Sequence, residues 1–206
     1  MTDPSASRFQ IRVMMRVTAA VVLAGMGLLS VHAALGGAIR TDSNEKNGEF
    51  LRVLDPAVVV LKSERRLHLF DGNGLVRTYE VDLGVEPSGP KRRREDGRTP
   101  TGRFSVVTKN PRSPYHRFIG IDYPDAATAE SGLAVGLVSP GEALSIRRSL
   151  LAGHRPNWRT PLGGGIGLHG HRQGRDWTGG CVALSDPAIE ELYRVLRLGD
   201  PIEILP

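Results

Sequence analysis

Cys181 is the only cysteine of this 206-residue chain, so no disulfide between two of its own thiols can hold the fold together. Stability must come from a hydrophobic core, and the roughly 165 residues after the apolar N-terminal stretch are enough to form one. The thiol itself is either a small buried hydrophobe or a reactive nucleophile. Gly179 and Gly180 directly precede it. They favour the nucleophile, because glycines let backbone N–H groups approach a bound substrate closely.

Residues 1–40 have the pattern of an export segment. The stretch 17–39 contains no Asp, Glu, Lys or Arg, and it follows Arg8, Arg12 and Arg16. Small residues around position 33 fit a signal-peptidase site, while the apolar length also suffices to span a bilayer. We expect a cleaved signal peptide or an uncleaved membrane anchor, with the basic end in the cytoplasm and the residues after about 40 exported. A buried core helix is the alternative.

Residues 41–54 are polar and lack periodicity, as expected of a linker, and the folded domain is predicted over 55–206. Short apolar or alternating runs predict strands over 58–62, 66–70, 75–83, 104–108, 118–123, 166–169 and 201–205. The turn sequence Asp-Gly-Asn-Gly at 71–74 predicts a β-hairpin. One helix is predicted over 142–152 and another after Asp186, with an apolar stripe of Ile189, Leu192, Tyr193 and Leu196. The domain is therefore predicted to be mainly β, with a helix after the cysteine and one further short helix.

The charge of the exported part argues against a nucleic-acid partner. The stretch up to residue 39 holds 3 of the 27 basic and 1 of the 22 acidic residues, which leaves a formal charge of only +3 for the remainder. Aromatic residues that stack on bases are also few. The one basic cluster, Lys-Arg-Arg-Arg at 91–94, lies among Gly, Pro and acidic residues and is predicted to be a solvated loop. Such a loop would attract an anionic envelope polymer only weakly.

His169 is the best candidate for the base that a catalytic thiol needs. The thiolate is the nucleophile, so the ordinary thiol, with a pKa of about 8.5, requires a neighbouring base or an electropositive setting. His169 ends a predicted strand and precedes Gly170, whose carbonyl is expected to orient Nδ1 of the ring. The backbone N–H groups of Gly180 and Cys181 are expected to stabilise a developing oxyanion.

A zinc site is the competing interpretation of the same residues. His169, His171 and Cys181 are three possible ligands. The chain has no second cysteine, and His154 is separated from these residues by a glycine-rich stretch. We therefore predict neither a metal site nor a cofactor.

Five motifs in the expected order resemble landmarks of L,D-transpeptidase (YkuD-type) catalytic domains. They lie at 67–70 with 79–84, at 98–104, at 121–124, at 160–164, and at 166–170 with 178–182, and the resemblance covers about residues 55–206. The last pair is similar to the family's active-site signature, a His-Gly followed by Ser/Thr-His-Gly-Cys, a hydrophobic residue and Asn or Arg. Asp-Trp-Thr at 176–178 resembles one subgroup of the family.

The resemblance implies a mixed, sandwich- or barrel-like β fold and a peptidoglycan L,D-transpeptidase located in the periplasm or cell envelope. Cys181 would attack the L-to-D peptide bond of a stem tetrapeptide, release D-alanine and hold the acyl group as a thioester. An amine of a second stem peptide would then accept that group. His169 would be the general base or acid, and Thr178, Gly179 and Gly180 would line the acyl site.

Two departures from the signature leave alternatives open. Gly179 stands where the family usually has histidine, and Ala183 stands where it has Asn or Arg. With water as the acceptor the protein would be an L,D-carboxypeptidase or another amide hydrolase, and without chemistry it would be a peptidoglycan-binding protein. Candidate contacts to the stem peptide are Tyr123, Trp177, Gly170 and His171. Core packing is the alternative for the two aromatic residues.

Overall fold

Eight strands and three helices occur in residues 51–206, the part of the chain that the computed structural model describes. The strands are β1 (Pro56–Leu61), β2 (Arg66–Asp71), β3 (Gly74–Glu80), β4 (Gly102–Ser113), β5 (His116–Ile121), β6 (Gly167–His169), β7 (Val182–Ala183) and β8 (Pro201–Leu205). The helices are α1 (Ala126–Ala134), α2 (Pro140–Leu151) and α3 (Asp186–Val195). The predicted export segment and most of the predicted linker lie outside the described residues.

The strands form one mixed sheet in the order β3-β2-β1-β8-β4-β5-β6-β7. Two neighbouring pairs are parallel, β1 with β8 and β6 with β7, and the other pairs are antiparallel. The segment after the edge strand β3 bridges to the opposite edge, from Asp82 to Ala183 and from Gly84 to Thr178. The sheet therefore curls back on itself. This architecture confirms the predicted mainly β, barrel-like fold.

The core is formed by the apolar residues that the strand and helix periods place on inner faces. Strand β1 is buried along nearly its whole length, as expected of a strand covered on both faces. Helix α3 buries Ala188, Ile189, Leu192 and Val195 at helical spacing, which confirms the predicted helix after the cysteine. The predicted hairpin is also confirmed, because β2 and β3 pair antiparallel across residues 71–74.

Helix α1 is a difference from the sequence analysis, which predicts only one helix besides α3. The residues that this helix buries are Ala129 and Gly132. Because both are small, the sequence shows no stripe of large apolar side chains. A Cβ at Gly132 would stand 2.7 Å from Leu162, so the helix packs by close approach of small residues rather than by large side chains. Helix α2 begins at a capping box between Ser139 and Glu142, two residues before its predicted start.

No helix within residues 51–206 is long and apolar enough to cross a membrane.

Candidate active site

The pairing of two short strands brings His169 and Cys181 to neighbouring positions at the end of the sheet. Strands β6 and β7 run parallel, with His169 opposite Ala183. Cys181 lies directly before β7, two positions from Ala183. The thiol and the imidazole therefore belong to residues that the strand pairing places close together along the sheet.

The imidazole of His169 is held in one tautomer. The ring is buried, and Nδ1 lies 2.7 Å from the carbonyl oxygen of Gly170, to which it donates its hydrogen. Nε2 is then the basic nitrogen of the ring. Burial lowers the pKa of His169 from its ordinary value, the bond to Gly170 raises it, and the nearby His171 lowers it. The net decrease keeps the ring neutral at pH 7, as a general base requires.

The thiol of Cys181 is also neutral in the free protein. Burial raises its pKa to about 11, while a hydrogen bond from the backbone of Gly167 and the positive charge of Lys91 oppose the increase. The thiol donates to the carbonyl of Gly165 at 3.5 Å. Within residues 51–206 no hydrogen bond joins Sγ to the His169 ring. The resting arrangement is a neutral thiol and a neutral base rather than a preformed ion pair.

Asp176 anchors the segment that carries the nucleophile. Its Oδ1 accepts from the N–H of Leu83 at 2.9 Å, and its Oδ2 accepts from Arg65 at 2.7 Å. The N–H groups of Trp177 and Thr178 both donate to the carbonyl of Leu83 at 3.1 Å. These bonds connect the segment to the residues that follow β3, so the position of the cysteine depends on the closure of the sheet.

Thr178 braces the turn that leads to the thiol. Its Oγ1 donates to the carbonyl of Cys181 at 2.7 Å and accepts from the N–H of Gly180 at 3.1 Å. In this conformation the N–H of Gly180, one of the two predicted oxyanion donors, is already bonded inside the turn, and its role as a donor stays a prediction. The N–H groups of Gly179 and Cys181 have no protein acceptor in the described part of the chain. They are the free donors of the turn.

Gly179 and Gly180 have different surroundings. Gly179 is exposed, and a Cβ there would meet no atom within 4 Å. Gly180 is buried with φ of +132°, a conformation that favours glycine. The missing side chain at Gly179 thus leaves open space two residues before the nucleophile.

Two aromatic rings contact the imidazole of His169. The centroid of Tyr115 lies 4.7 Å from that of His169 with an interplanar angle of 32°, and Trp177 lies 5.7 Å away at 72°. Tyr115 also contacts Trp177 at 5.8 Å and His171 at 6.3 Å. Tyr115 is not identifiable as a site residue from the sequence, because it lies 54 positions before His169 and no local pattern connects the two.

The remaining predicted contacts lie in different places. Tyr123 is fully buried, packs on Phe104 at 6.3 Å and donates from its hydroxyl to the carbonyl of Leu162. It is a core residue and does not line an accessible wall. His171 is exposed and its N–H donates to Asp186 at 2.8 Å. Gly170 is buried and packs closely against Asp186. A Cβ at position 170 would stand 2.5 Å from the Asp186 carboxylate. Trp177 is therefore the one aromatic candidate that contacts His169.

The basic cluster at 91–94 is only partly solvated, so the prediction of a solvated loop is wrong for Lys91. This residue is buried and forms an ion pair of 2.6 Å with Asp96, which is itself nearly inaccessible. Asp96 also accepts from the N–H groups of Arg92, Arg93 and Arg98. The loop therefore wraps around one carboxylate, and this places a cation near the thiol.

Among residues 51–206, no group of three or more His, Cys, Asp or Glu side chains is arranged to hold a metal ion.

The model of the YkuD family, described as the L,D-transpeptidase catalytic domain, matches residues 55–204. The chain belongs to this family. The resemblance carried by the five sequence motifs is thereby confirmed, whereas the assignment to an Asp-Trp-Thr subgroup stays a prediction.

Solved L,D-transpeptidases and a cell-shape protein are similar in structure to this L,D-transpeptidase domain. An L,D-transpeptidase from Mycobacterium smegmatis is 14% identical with a TM-score of 0.45, over 74% of this chain and 59% of that chain. The helical cell shape determining protein Pgp2 from Campylobacter jejuni is 19% identical with a TM-score of 0.48, over 78% and 51%. An L,D-transpeptidase from Xylanimonas cellulosilytica is 15% identical with a TM-score of 0.44, over 75% and 62%. The chain thus spans less than two thirds of the length of these proteins. No curated protein matches it significantly.

Proposed function

We propose that this chain is an exported, cysteine-dependent L,D-transpeptidase that acts on peptidoglycan stem peptides. The observation that carries the proposal is the pairing of β6, which ends at His169, with β7, which directly follows Cys181, together with the tautomer of His169 that Gly170 sets. Membership of the family supplies the substrate class. The export pattern of residues 1–40 supports a location in the periplasm or cell envelope.

The first half-reaction forms a thioester. Nε2 of His169 takes the thiol proton as Sγ of Cys181 attacks the carbonyl carbon of the L-to-D bond in a stem tetrapeptide. The carbonyl oxygen becomes an oxyanion, for which the N–H of Cys181 is a free donor. The C–N bond then breaks, the imidazolium proton passes to the leaving amine, and D-alanine departs.

The second half-reaction transfers the acyl group. An amine of another stem peptide loses a proton to Nε2 of His169 and attacks the thioester carbonyl. The C–S bond breaks, a new amide forms, and the proton returns to the sulfur of Cys181. Because both groups begin and end neutral, the cycle requires no permanent thiolate, in agreement with the raised pKa of Cys181 and the lowered pKa of His169.

Hydrolysis of the thioester is the second candidate function, and the open space at Gly179 favours it. No atom lies within 4 Å of a Cβ at this position, which is two residues from the nucleophile. Water has room to approach there, and an L,D-carboxypeptidase would result.

The purified full-length protein should be incubated with tetrapeptide muropeptides and, in a separate reaction, with a carbapenem. The products of each reaction are identified by mass. A transpeptidase gives cross-linked dimers, a carboxypeptidase gives trimmed stems, and both gain a covalent carbapenem adduct on Cys181. Cys181→Ala and His169→Ala should abolish product formation, and Cys181→Ala should also abolish the adduct. His154→Asn is the matched control, because His154 is an exposed histidine after α2 and lies outside the proposed site. A folded wild-type protein with no product and no adduct would contradict the proposal and favour a binding protein.

A further inference from the structure

The buried ring of His169 has one polar restraint and two aromatic neighbours. The restraint is the bond from Nδ1 to the carbonyl of Gly170. Tyr115 lies against the ring at 4.7 Å in a tilted stack, and Trp177 lies edge-on at 5.7 Å. The two aromatic rings also contact each other at 5.8 Å, so the three rings form a closed triangle. Such contacts fix a ring plane that one hydrogen bond leaves free to tilt.

Trp177 is the fixed side of this triangle. Its own N–H donates to the carbonyl of Leu83, and both of its chain neighbours are tied to Leu83 as well, Asp176 through its carboxylate and Thr178 through its N–H. Nε1 of the indole is buried and has no partner in residues 51–206. Ring packing rather than a hydrogen bond of its own therefore orients the indole.

Tyr115 is the exposed side. It lies between β4 and β5, and 44% of its surface is accessible. Its carbonyl accepts the N–H of Gly170 at 2.9 Å. Gly170 thus bonds both partners of the stack, to His169 through its carbonyl and to Tyr115 through its N–H. This arrangement requires glycine, since a Cβ at Gly170 would stand 2.9 Å from the Tyr115 carbonyl.

We infer that Tyr115 is a positioning residue that holds the imidazole of His169 against Trp177, so that Nε2 faces the thiol of Cys181. The inference rests on the proposed function, because it gives His169 the role of base. The reason for such a device lies in the site itself. No hydrogen bond joins the ring to the thiol within residues 51–206. Packing against the neighbouring rings must therefore orient the imidazole, as a hydrogen bond to the thiol would otherwise do.

The test compares Tyr115→Ala with Tyr115→Phe in the full-length protein. The readouts are the pKa of His169 by NMR titration, the rate of Cys181 alkylation by iodoacetamide against pH, and the rate of carbapenem acylation. Tyr115→Ala exposes the ring, so the pKa of His169 should rise towards its ordinary value. Acylation should fall roughly 10- to 100-fold, as for other small misplacements of a catalytic group. Tyr115→Phe keeps the ring and should restore the rate to within about threefold of wild type.

A matched control separates the stack from the turn that carries it. His116→Asn removes the contact between Nε2 of a residue in the same turn and the Glu190 carboxylate at 2.9 Å, keeps a residue that tolerates a φ of +71°, and should leave all three readouts unchanged. Tyr115→Leu provides a second packed variant if alanine impairs folding. It should raise the pKa of His169 less than Tyr115→Ala does, while acylation still falls because the planar contact is lost.

Three results would overturn the inference. They are wild-type rates and an unchanged His169 pKa in Tyr115→Ala, equal losses in Tyr115→Phe and Tyr115→Ala, and an equal loss in His116→Asn. Failure of the proposed function is distinguishable, because wild-type protein would then lack a carbapenem adduct and muropeptide products. The titration and the alkylation profile would still report on the stack.

Discussion

Gly180 approaches the carbonyl of Arg98 so closely that a Cβ at position 180 would stand 2.5 Å from that oxygen. The N–H of Arg98 donates to the carboxylate of Asp96, so Arg98 belongs to the loop that folds around Asp96. The contact with Gly180 therefore packs the turn before Cys181 against that loop. The backbone of Gly180 also adopts a φ of +132°. Sterics and backbone conformation therefore demand glycine independently at this position.

Gly180→Ala should destabilise the protein by about 2 kcal/mol or more, since it adds both backbone strain and a clash with backbone that cannot move freely. Denaturant unfolding monitored by tryptophan fluorescence measures the change. Gly179→Ala is the matched control one residue away, where a Cβ meets nothing, and it should stay within about 0.5 kcal/mol of wild type. Equal effects of the two substitutions would contradict the described turn.

Thr178→Val should slow the acylation of Cys181 by a carbapenem while the protein remains folded. Valine keeps the shape of threonine but removes the hydroxyl that bonds both Gly180 and Cys181, which leaves the buried N–H of Gly180 unpaired. We expect a loss of about 1–3 kcal/mol in stability, and a slower rate because the cysteine is no longer braced. Thr178→Ser retains the hydroxyl and should behave like wild type. An acylation rate of Thr178→Val equal to that of Thr178→Ser would argue against the brace.

Lys91→Met should raise the pKa of the Cys181 thiol further. The substitution removes the positive charge that lowers this pKa and leaves the buried carboxylate of Asp96 unpaired. The measurement is the rate of alkylation of Cys181 between pH 7 and 11. Asp96→Asn keeps the cation and removes the anion, so it should shift the same profile in the opposite direction. Shifts of the same sign in both variants would indicate a structural disturbance rather than electrostatics.

The lowered pKa of His169 predicts how activity and stability depend on pH. A neutral ring is the active base, so acylation should persist somewhat below pH 6.5 and fall only as pH decreases through the lowered pKa. In the unfolded chain the ring protonates at its ordinary, higher pKa. The folded state therefore loses stability as pH falls from 6.5 through the folded value. His169→Asn should lessen this loss, which is measured as the wild-type minus variant difference in unfolding free energy against pH.

The parts of the fold that follow local rules are the parts that the sequence predicts. The hairpin at 71–74 follows from turn residues, and helix α3 follows from its apolar stripe. Cys181 and His169 stand out because glycines flank them and because their motifs resemble the family signature. Helix α1 is missed, since small residues leave no periodic pattern to detect.

Contacts between distant residues are not predictable in this way. Tyr115 reaches His169 only because β4 and β5 pair next to β6. The burial of Lys91 follows from the folding of its own loop around Asp96, whereas a run of basic residues ordinarily indicates a solvated surface. The bond inside the turn from the N–H of Gly180, one of the two predicted oxyanion donors, to the hydroxyl of Thr178 is likewise not predictable.

The strand order has a consequence for the synthesis of this protein. Strand β8, the last along the chain, lies between β1 and β4 and joins the hairpin half of the sheet to the half that carries the cysteine. Such non-local pairing is slow to form and cannot begin before residues 201–205 have been synthesised. A nascent chain that already contains the thiol would therefore still lack a working base beside it, and its reactivity would begin only at completion of the domain.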